Sequence, residues 1–356
     1  IYEAKTEHEM DQNEDEENLM LVENSPIQSG NDTMAQAKQM KDMENMSLLE
    51  LKDYFINKGQ KKKSCHFITI TSKKSVISAA DASDQYVVCG FENSLIWVWN
   101  ISNQWIGGFI KFNKRFTFVG HKSIVSCVAI DSKLKRLISG SGDKTVRIWD
   151  LLRGTCLSVH TWHSKAVYNV CCSPDSKCIL SASENSTVVL YWYDEFFPMR
   201  VYTHDEKVEI PINVVQFHPN STIFAIVAAN KITLWRTDNN TTPVRLFTDH
   251  DEKVNTVSFS PCGQFLAAGD DCGWIFVWDI QKGEPVQRFL LDASGVKCLS
   301  YDKNGTILAV VSFGVSWGFY NPFSPKNNNI LSWDPTQTAV ISVHFTESNR
   351  LLIIGN

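Results

Sequence analysis

The chain has 356 residues, 43% of them hydrophobic, enough to bury a large core in one or two domains. Its net charge of −5 is uneven: residues 1–50 hold 13 Asp/Glu against 3 Lys, and the rest carries a balance of +5, too weakly basic to point to direct, specific nucleic-acid binding. No apolar run of 18 residues and no basic-then-apolar leader occurs, so neither a helical membrane span nor a secretory signal is expected, and no membrane partner.

Residues 1–46 read as a disordered acidic linker. They hold six of the seven Met and no Phe, Trp or Cys, with an acidic run at 11–18. The first residue is not Met, so upstream sequence is expected. Residues 47–64 follow as a short capped helix and a basic linker. Ser47 and Glu50 make a capping box, and Met46 and Leu51 a staple. Leu48, Leu51 and Phe55 share a face, and Gly59 is the stop. The run Gln60-Lys61-Lys62-Lys63 suits a solvated linker or a nuclear import signal.

From residue 65 to 356 the pattern changes to short strands. Phe67 to Thr71 is an isolated strand. Six repeats then end on Trp99, Trp149, Tyr191, Trp235, Trp278 and Tyr320, spaced 50, 42, 44, 43 and 42 residues apart. That period of about 40–45 residues is the period of propeller blades. Residues 101–118 lengthen the first interval and read as an extended loop. Turn cues recur at Ser173-Pro174, His218-Pro219 and Ser260-Pro261. After Tyr320 come a Pro/Asn-rich loop, NPFSPKNNN, and two last strands, Ala339 to Phe345 and Leu351 to Ile354. Those two are half a blade. An open propeller would leave bare strand edges, so the isolated strand at 67–71 is expected to pair with them. The fold class expected is all-β: a seven-bladed propeller closed by its N-terminal strand.

The stretch from Gly120 to Asp150 is the clearest repeat. It opens Gly-His, closes Trp-Asp and holds three apolar strand patterns separated by turn residues. His121, Ser139, Asp143 and Trp149 resemble the structural polar chain of WD-repeat proteins, which would give a buried indole N–H its partner. The same set resembles a catalytic triad, but its recurrence along the chain favours a scaffold device. Tyr191 and Tyr320 replace the closing Trp, and Cys272 stands six before Trp278, where Asp is expected.

No GxxxxGK[ST], GxSxG or HExxH occurs; no catalytic residue, metal or cofactor is expected, and the chain is read as no enzyme. His160 and His163, in the loop leading into the third blade, and Asp249-His250-Asp251 resemble ligand clusters. His163 and His250 align with His121, so the scaffold role is preferred. The ten cysteines show no zinc spacing and read as free thiols. Propellers bind through the rim around their channel. The residue after the first apolar position of each inner strand is expected there, as in Ser126, Tyr168, Asn213, Asn255 and Lys297, with Lys253 nearby. Trp162, replacing the Gly of a Gly-His pair, joins them as a candidate partner-binding residue.

Four stretches resemble one family beyond the generic repeat: CHFITITSKKSVISAADASDQYVVCGFENSLIWVWN (65–100), PMRVYTHDEKVEIPINVVQFHPNS (198–221), VNTVSFSPCGQFLAAGDDCGWIFVWDIQKGEPV (254–286) and HFTESNRLLIIGN (344–356). They are similar to the propeller of subunit 5 of the general transcription factor TFIID, a TBP-associated factor. The resemblance implies a nuclear, non-enzymatic scaffold in RNA polymerase II initiation. Its partners would be other TFIID subunits, chiefly the histone-fold subunits 6 and 9, with sharing by SAGA-type coactivators in some lineages. That family also carries a LisH-bearing helical half before the propeller, which this sequence does not show, so the resemblance is to the C-terminal part of such a protein or to a shortened relative. The alternative is a WD-repeat adaptor or peptide reader, such as a ubiquitin-ligase substrate receptor; a hydrolase propeller has only scattered histidines behind it.

Overall fold

Period-two alternation runs through the opening segment of each repeat and folds as strand: in Val125–Asp131 every odd-numbered residue is buried and every even-numbered one half-buried. The computed structural model describes residues 19–20, 65–70, 75–106, 109–203, 210–238, 242–291, 294–314, 316–323, 329–332, 340–346 and 351–355. Among the described residues every regular element is a strand, and the strands form four-stranded sheets.

Two strands, β1 (Leu19–Met20) and β2 (Cys65–Ile70), precede the repeats. Blade 1 holds β3 (Ile77–Ala82), β4 (Tyr86–Phe91), β5 (Ile96–Ile106) and β6 (Phe109–Phe118). Blade 2 holds β7 (Val125–Asp131), β8 (Arg136–Ser141), β9 (Val146–Asp150) and β10 (Thr155–His160). Blade 3 holds β11 (Val167–Cys172), β12 (Cys178–Ser183), β13 (Thr187–Trp192) and β14 (Pro198–Thr203). Blade 4 holds β15 (Ile212–Phe217), β16 (Ile223–Ala228), β17 (Lys231–Arg236) and β18 (Arg245–Phe247). Blade 5 holds β19 (Val254–Phe259), β20 (Phe265–Asp270), β21 (Trp274–Asp279) and β22 (Glu284–Leu290). Blade 6 holds β23 (Val296–Tyr301), β24 (Leu308–Ser312), β25 (Ser316–Tyr320) and β26 (Asn329–Ser332). The chain ends with β27 (Val340–Phe345) and β28 (Leu351–Gly355).

Six blades, rather than the expected seven, consist of consecutive strands. The remaining sheet is composite, in the order β1-β2-β28-β27. Within it β2 runs parallel to β28, Phe67 opposite Ile353, and β28 runs antiparallel to β27. β2 thus fills the sheet that β27 and β28 leave incomplete. The sheet is held from two sides. Val343 and Leu351 pack with Ala309 and Val311 of blade 6, and Leu352 and Ile354 with Val87, Trp97 and Trp99 of blade 1. The amide of Phe345 donates to Ser300 Oγ at 3.1 Å, and His344 Nδ1 lies 3.4 Å from Asp81 Oδ1.

The sheets are cemented by sending alternate side chains to opposite neighbours. In β20, Leu266 and Ala268 join the cluster shared with blade 4, while Ala267 joins the one shared with blade 6. Such strands are covered on both faces; β4 and β12 are buried at all six positions. The closing aromatics follow the same rule, Trp149 packing on Val88 and Val98 of blade 1 and Trp278 on Val227 and Leu234 of blade 4. The seams are tight at one recurrent glycine. A Cβ on Gly90, Gly140 or Gly269 would lie 2.5–2.6 Å from the side chain of Val125, Val167 or Val296, each the first inner-strand residue of the next blade.

Several expectations change. The stretch 101–118 is no loop: β5 and β6 continue through it as a long hairpin, with Ile106 opposite Phe109. The Asn-rich stretch after Tyr320 leads into β26, the outer strand of blade 6. His160 is the last residue of β10 and not part of a loop. The expected helix at 47–59 and the basic run at 60–63 lie outside the described residues. So does the expected disordered tail, except Leu19–Met20, which pairs with β2 as an edge strand.

Candidate functional site

The tight turn between β8 and β9 and the loop between blades 1 and 2 converge on one buried chain. Trp149 Nε1–H donates to Ser139 Oγ at 2.9 Å, and Ser139 Oγ lies 2.8 Å from His121 Nε2. His121 Nδ1 lies 3.0 Å from Asp143 Oδ2. One proton arrangement satisfies all of them: indole to hydroxyl, hydroxyl to Nε2, Nδ1–H to carboxylate. Thr145 Oγ1 and the amide of Lys122 also donate to Asp143, at 2.7 and 2.9 Å. Burial works to raise Asp143's carboxyl, but these hydrogen bonds and the facing His121 outweigh it and hold it well below the usual range. Burial lowers His121, against the pull of Asp143. A carboxylate and an imidazole tied up on every side anchor two loops and leave no free base.

Blade 3 keeps part of this chain. His163 Nε2 lies 2.7 Å from Ser181 Oγ, and Thr187 Oγ1 donates to Asn185 Oδ1 at 2.7 Å. Asn185 stands where Asp143 does in blade 2, so no carboxylate supports the imidazole, and burial pushes His163 down to about 4. The sign follows. The unfolded chain takes up this proton near pH 6.5 and the folded one only near 4, so stability is full above 6.5 and falls as pH drops toward 4. A slope of up to about 1.4 kcal/mol per pH unit is expected. Chemical denaturation of wild type and His163→Gln at pH 7 and pH 5 checks it: the variant should lose less stability on acidification.

Blade 5 is wired differently. His250 Nδ1 lies 2.7 Å from Asp270 Oδ2, and Trp278 Nε1–H donates to Asp249 Oδ2 at 2.7 Å. Asp270, at the end of β20, thus takes the role vacated at Cys272, and its Oδ1 accepts the turn amides of Cys272 and Trp274. Ala268 occupies the register position that Ser139 holds in blade 2. With no hydroxyl there, His250 Nε2 is buried without a partner among the described residues. Asp249 and His250 serve the scaffold, and no group of three or more His, Cys, Asp or Glu among the described residues could hold a metal ion.

The inner strands share a repeated device. In all seven inner strands the ladder skips one residue near its start: Ser78, Ser126, Tyr168, Asn213, Asn255, Lys297 and Ile341 are bulged. Several of these side chains reach sideways. Ser78 Oγ donates to the carbonyl of Val125 at 2.5 Å, Ser126 Oγ to that of Val167, and Asn255 Nδ2 to that of Val296 at 3.1 Å. Ser126 and Asn255 therefore stitch one blade to the next; Asn255 also donates to Asp271 at 2.6 Å. Asn213 is half-buried and Lys253 exposed. Tyr168 is 38% exposed. Lys297 is half-buried, its Nζ 5.9 Å from the ring of exposed Phe313, and burial lowers its pKa against the pull of Cys298. Trp162 is not on this ring of bulges. It lies after β10, 49% exposed, its indole donating to the carbonyl of Phe196 at 3.2 Å. The thiols of Cys127, Cys172 and Cys298 are pushed up to about 12 by burial, and the nine described cysteines are free. At neutral pH the three buried thiols stay protonated and unreactive.

The family model "WD domain, G-beta repeat" matches residues 112–150, 154–191 and 241–279. The chain carries WD repeats. Each match begins within or just before the outer strand of one blade and ends with the third strand of the next, so repeat and blade are offset by one strand. The chain is 26% identical over 268 residues to transcription initiation factor TFIID subunit 5 of Caenorhabditis elegans, covering 67% of this chain and 39% of that protein. It is 28% identical over 201 residues to pre-mRNA-processing factor 19 homolog 2 of Arabidopsis thaliana, covering 55% and 37%. It is 24% identical over 198 residues to eukaryotic translation initiation factor 3 subunit I of Drosophila grimshawi, covering 55% and 50%. The chain thus spans half or less of the length of each relative. No described helix is long and apolar enough to cross a membrane.

Proposed function

We propose that this WD-repeat propeller is a non-enzymatic docking scaffold of a TFIID-type transcription initiation assembly in the nucleus. Its partners in this reading are histone-fold subunits of the kind numbered 6 and 9, in TFIID or in a SAGA-type coactivator. The supporting observation is the extent of similarity to TFIID subunit 5. It runs over 268 residues, well past the three stretches that match the repeat model, whereas the splicing and translation relatives align over about 200. The domain reading belongs to the same proposal: a linker at 1–46, a capped segment at 47–64, and a propeller over 65–356 whose composite sheet is the seventh blade of a closed ring. Packing of that sheet on blades 6 and 1 supports closure. Docking would use Tyr168, Asn213, Lys253 and Lys297 on the rim, with Trp162 outside it. Ser126 and Asn255 already serve the seams.

Affinity purification of the tagged chain from nuclear extract, quantified by mass spectrometry, tests the reading. Recovery of histone-fold subunits is expected, falling about tenfold in Tyr168→Ala/Lys253→Ala/Lys297→Ala with melting unchanged. Recovery of splicing or translation assemblies in their place, or equal recovery by the variant, would contradict it.

A further inference from the structure

A second surface lies on the outer wall, away from the channel. The connection from β13 to β14 folds over the outer edge of blade 2. Arg136 Nη1 of β8 lies 3.6 Å from Asp194 Oδ1, and the Arg136 guanidinium sits 5.2 Å from the centre of the Tyr193 ring. Between this connection and β10 is a cleft of about 230 Å³, with Ile148 and Tyr193 in its lining, Leu157 and Phe196 beside it, and Asp194 and Glu195 also along it. Phe196 and Phe197 are each 71% exposed, and the Trp162 ring lies 6.0 Å from that of Phe197. Leaving two adjacent phenylalanines in water forgoes the burial that normally places them inside. β10, along one side of the cleft, and β14, which follows the connection, are the outer edges of their sheets.

We propose that this cleft docks an extended segment of a partner protein that carries apolar side chains alternating with Lys or Arg. The free edges offer unpaired backbone groups to a strand. Alternation with period two puts the apolar side chains on one face of such a segment, against Leu157, Phe196 and Phe197. Charge decides the other residues. Asp194's side chain is largely exposed, and Glu195's carboxylate has no ion pair among the described residues; Arg136 is the one cation lining the cleft. A second copy of this chain docking symmetrically would bring the same carboxylates to the interface. The proposal rests on the docking-scaffold reading but uses a wall separate from the rim.

The test uses the full chain and two fluorescent nonapeptides, one alternating Phe with Lys and the other Phe with Glu, read by polarisation at low salt. The Lys peptide is expected to bind at least tenfold more tightly than the Glu peptide. Phe196→Ser/Phe197→Ser should weaken it at least tenfold, and Glu195→Lys should erase the preference. Both sites change exposed side chains, so unchanged melting verifies the variants. Tyr168→Ala/Lys297→Ala should leave peptide binding intact, which separates a failure at this wall from a failure of the rim reading. Equal binding of both peptides, or no loss in the Phe variant, would overturn the proposal. So would a dimer in sedimentation that Phe196→Ser/Phe197→Ser abolishes, since the wall would then belong to a second copy.

Discussion

Deleting residues 65–70 is expected to make the protein aggregate. β2 makes a five-residue parallel ladder with β28, from Cys65 opposite Leu351 to Thr69 opposite Gly355. Its removal leaves β28 as a bare edge, a template for pairing between molecules. It also loosens Leu351, Leu352 and Ile354, all now buried. At about 1.5–3 kcal/mol per buried aliphatic side chain, partial exposure of these three costs on the order of 3–5 kcal/mol, a large share of a domain's net stability. Light scattering and thermal melting check this: the deletion should aggregate and melt well below wild type. A monomer with unchanged melting would show that the N-terminal strand is dispensable.

Ser139→Ala should be costly for the loss of a single atom. The hydroxyl serves two buried groups at once, accepting from Trp149 Nε1 and meeting His121 Nε2. Its loss strands both, at about 1–3 kcal/mol for each unsatisfied group. Blade 5 has already made the same substitution, with Ala268 at this position, and its network has been rewired around Asp249 and Asp270. Ala268→Ser is therefore expected to do the opposite. It gives His250 Nε2 a donor and should raise stability by about 1 kcal/mol. Urea unfolding of both variants tests the pair. Loss in the first with gain in the second supports one mechanism; loss in both would mean that blade 5 has no room for the hydroxyl.

The repeat was legible because its parts have few chemical substitutes. A buried indole N–H needs an acceptor, and the Trp-Ser-His-Asp set of blade 2 answers that need with side chains found in few other patterns. The inner strands were legible by their alternation, as at β7, and the middle strands because neighbouring blades bury both of their faces, as at β4 and β12, which leaves apolar runs in the sequence. The outer strands were not. β10, β14 and β22 each expose several positions, with polar residues mixed in, so β6 and β26 passed for loops. Blade 5 hid its carboxylate for a different reason: the role moved two residues, from the place Cys272 fills to Asp270, and spacing alone does not follow a role that moves. Ser126 and Asn255 show the limit at the rim. A polar side chain that bonds the next blade's carbonyl has the same chemistry as one that awaits a partner, and only the reach to that carbonyl separates the two.

Hydrogen exchange of the β28 amides tests the ring most directly. In a circle closed by both chain ends β28 is an interior strand, flanked by β2 and β27. Its amides should exchange as slowly as those of β8 in wild type, and deletion of 65–70 should release them while β8 stays protected. Fast exchange of β28 in the intact chain, at the pace of the outer strands, would mean an open arc and would contradict the account.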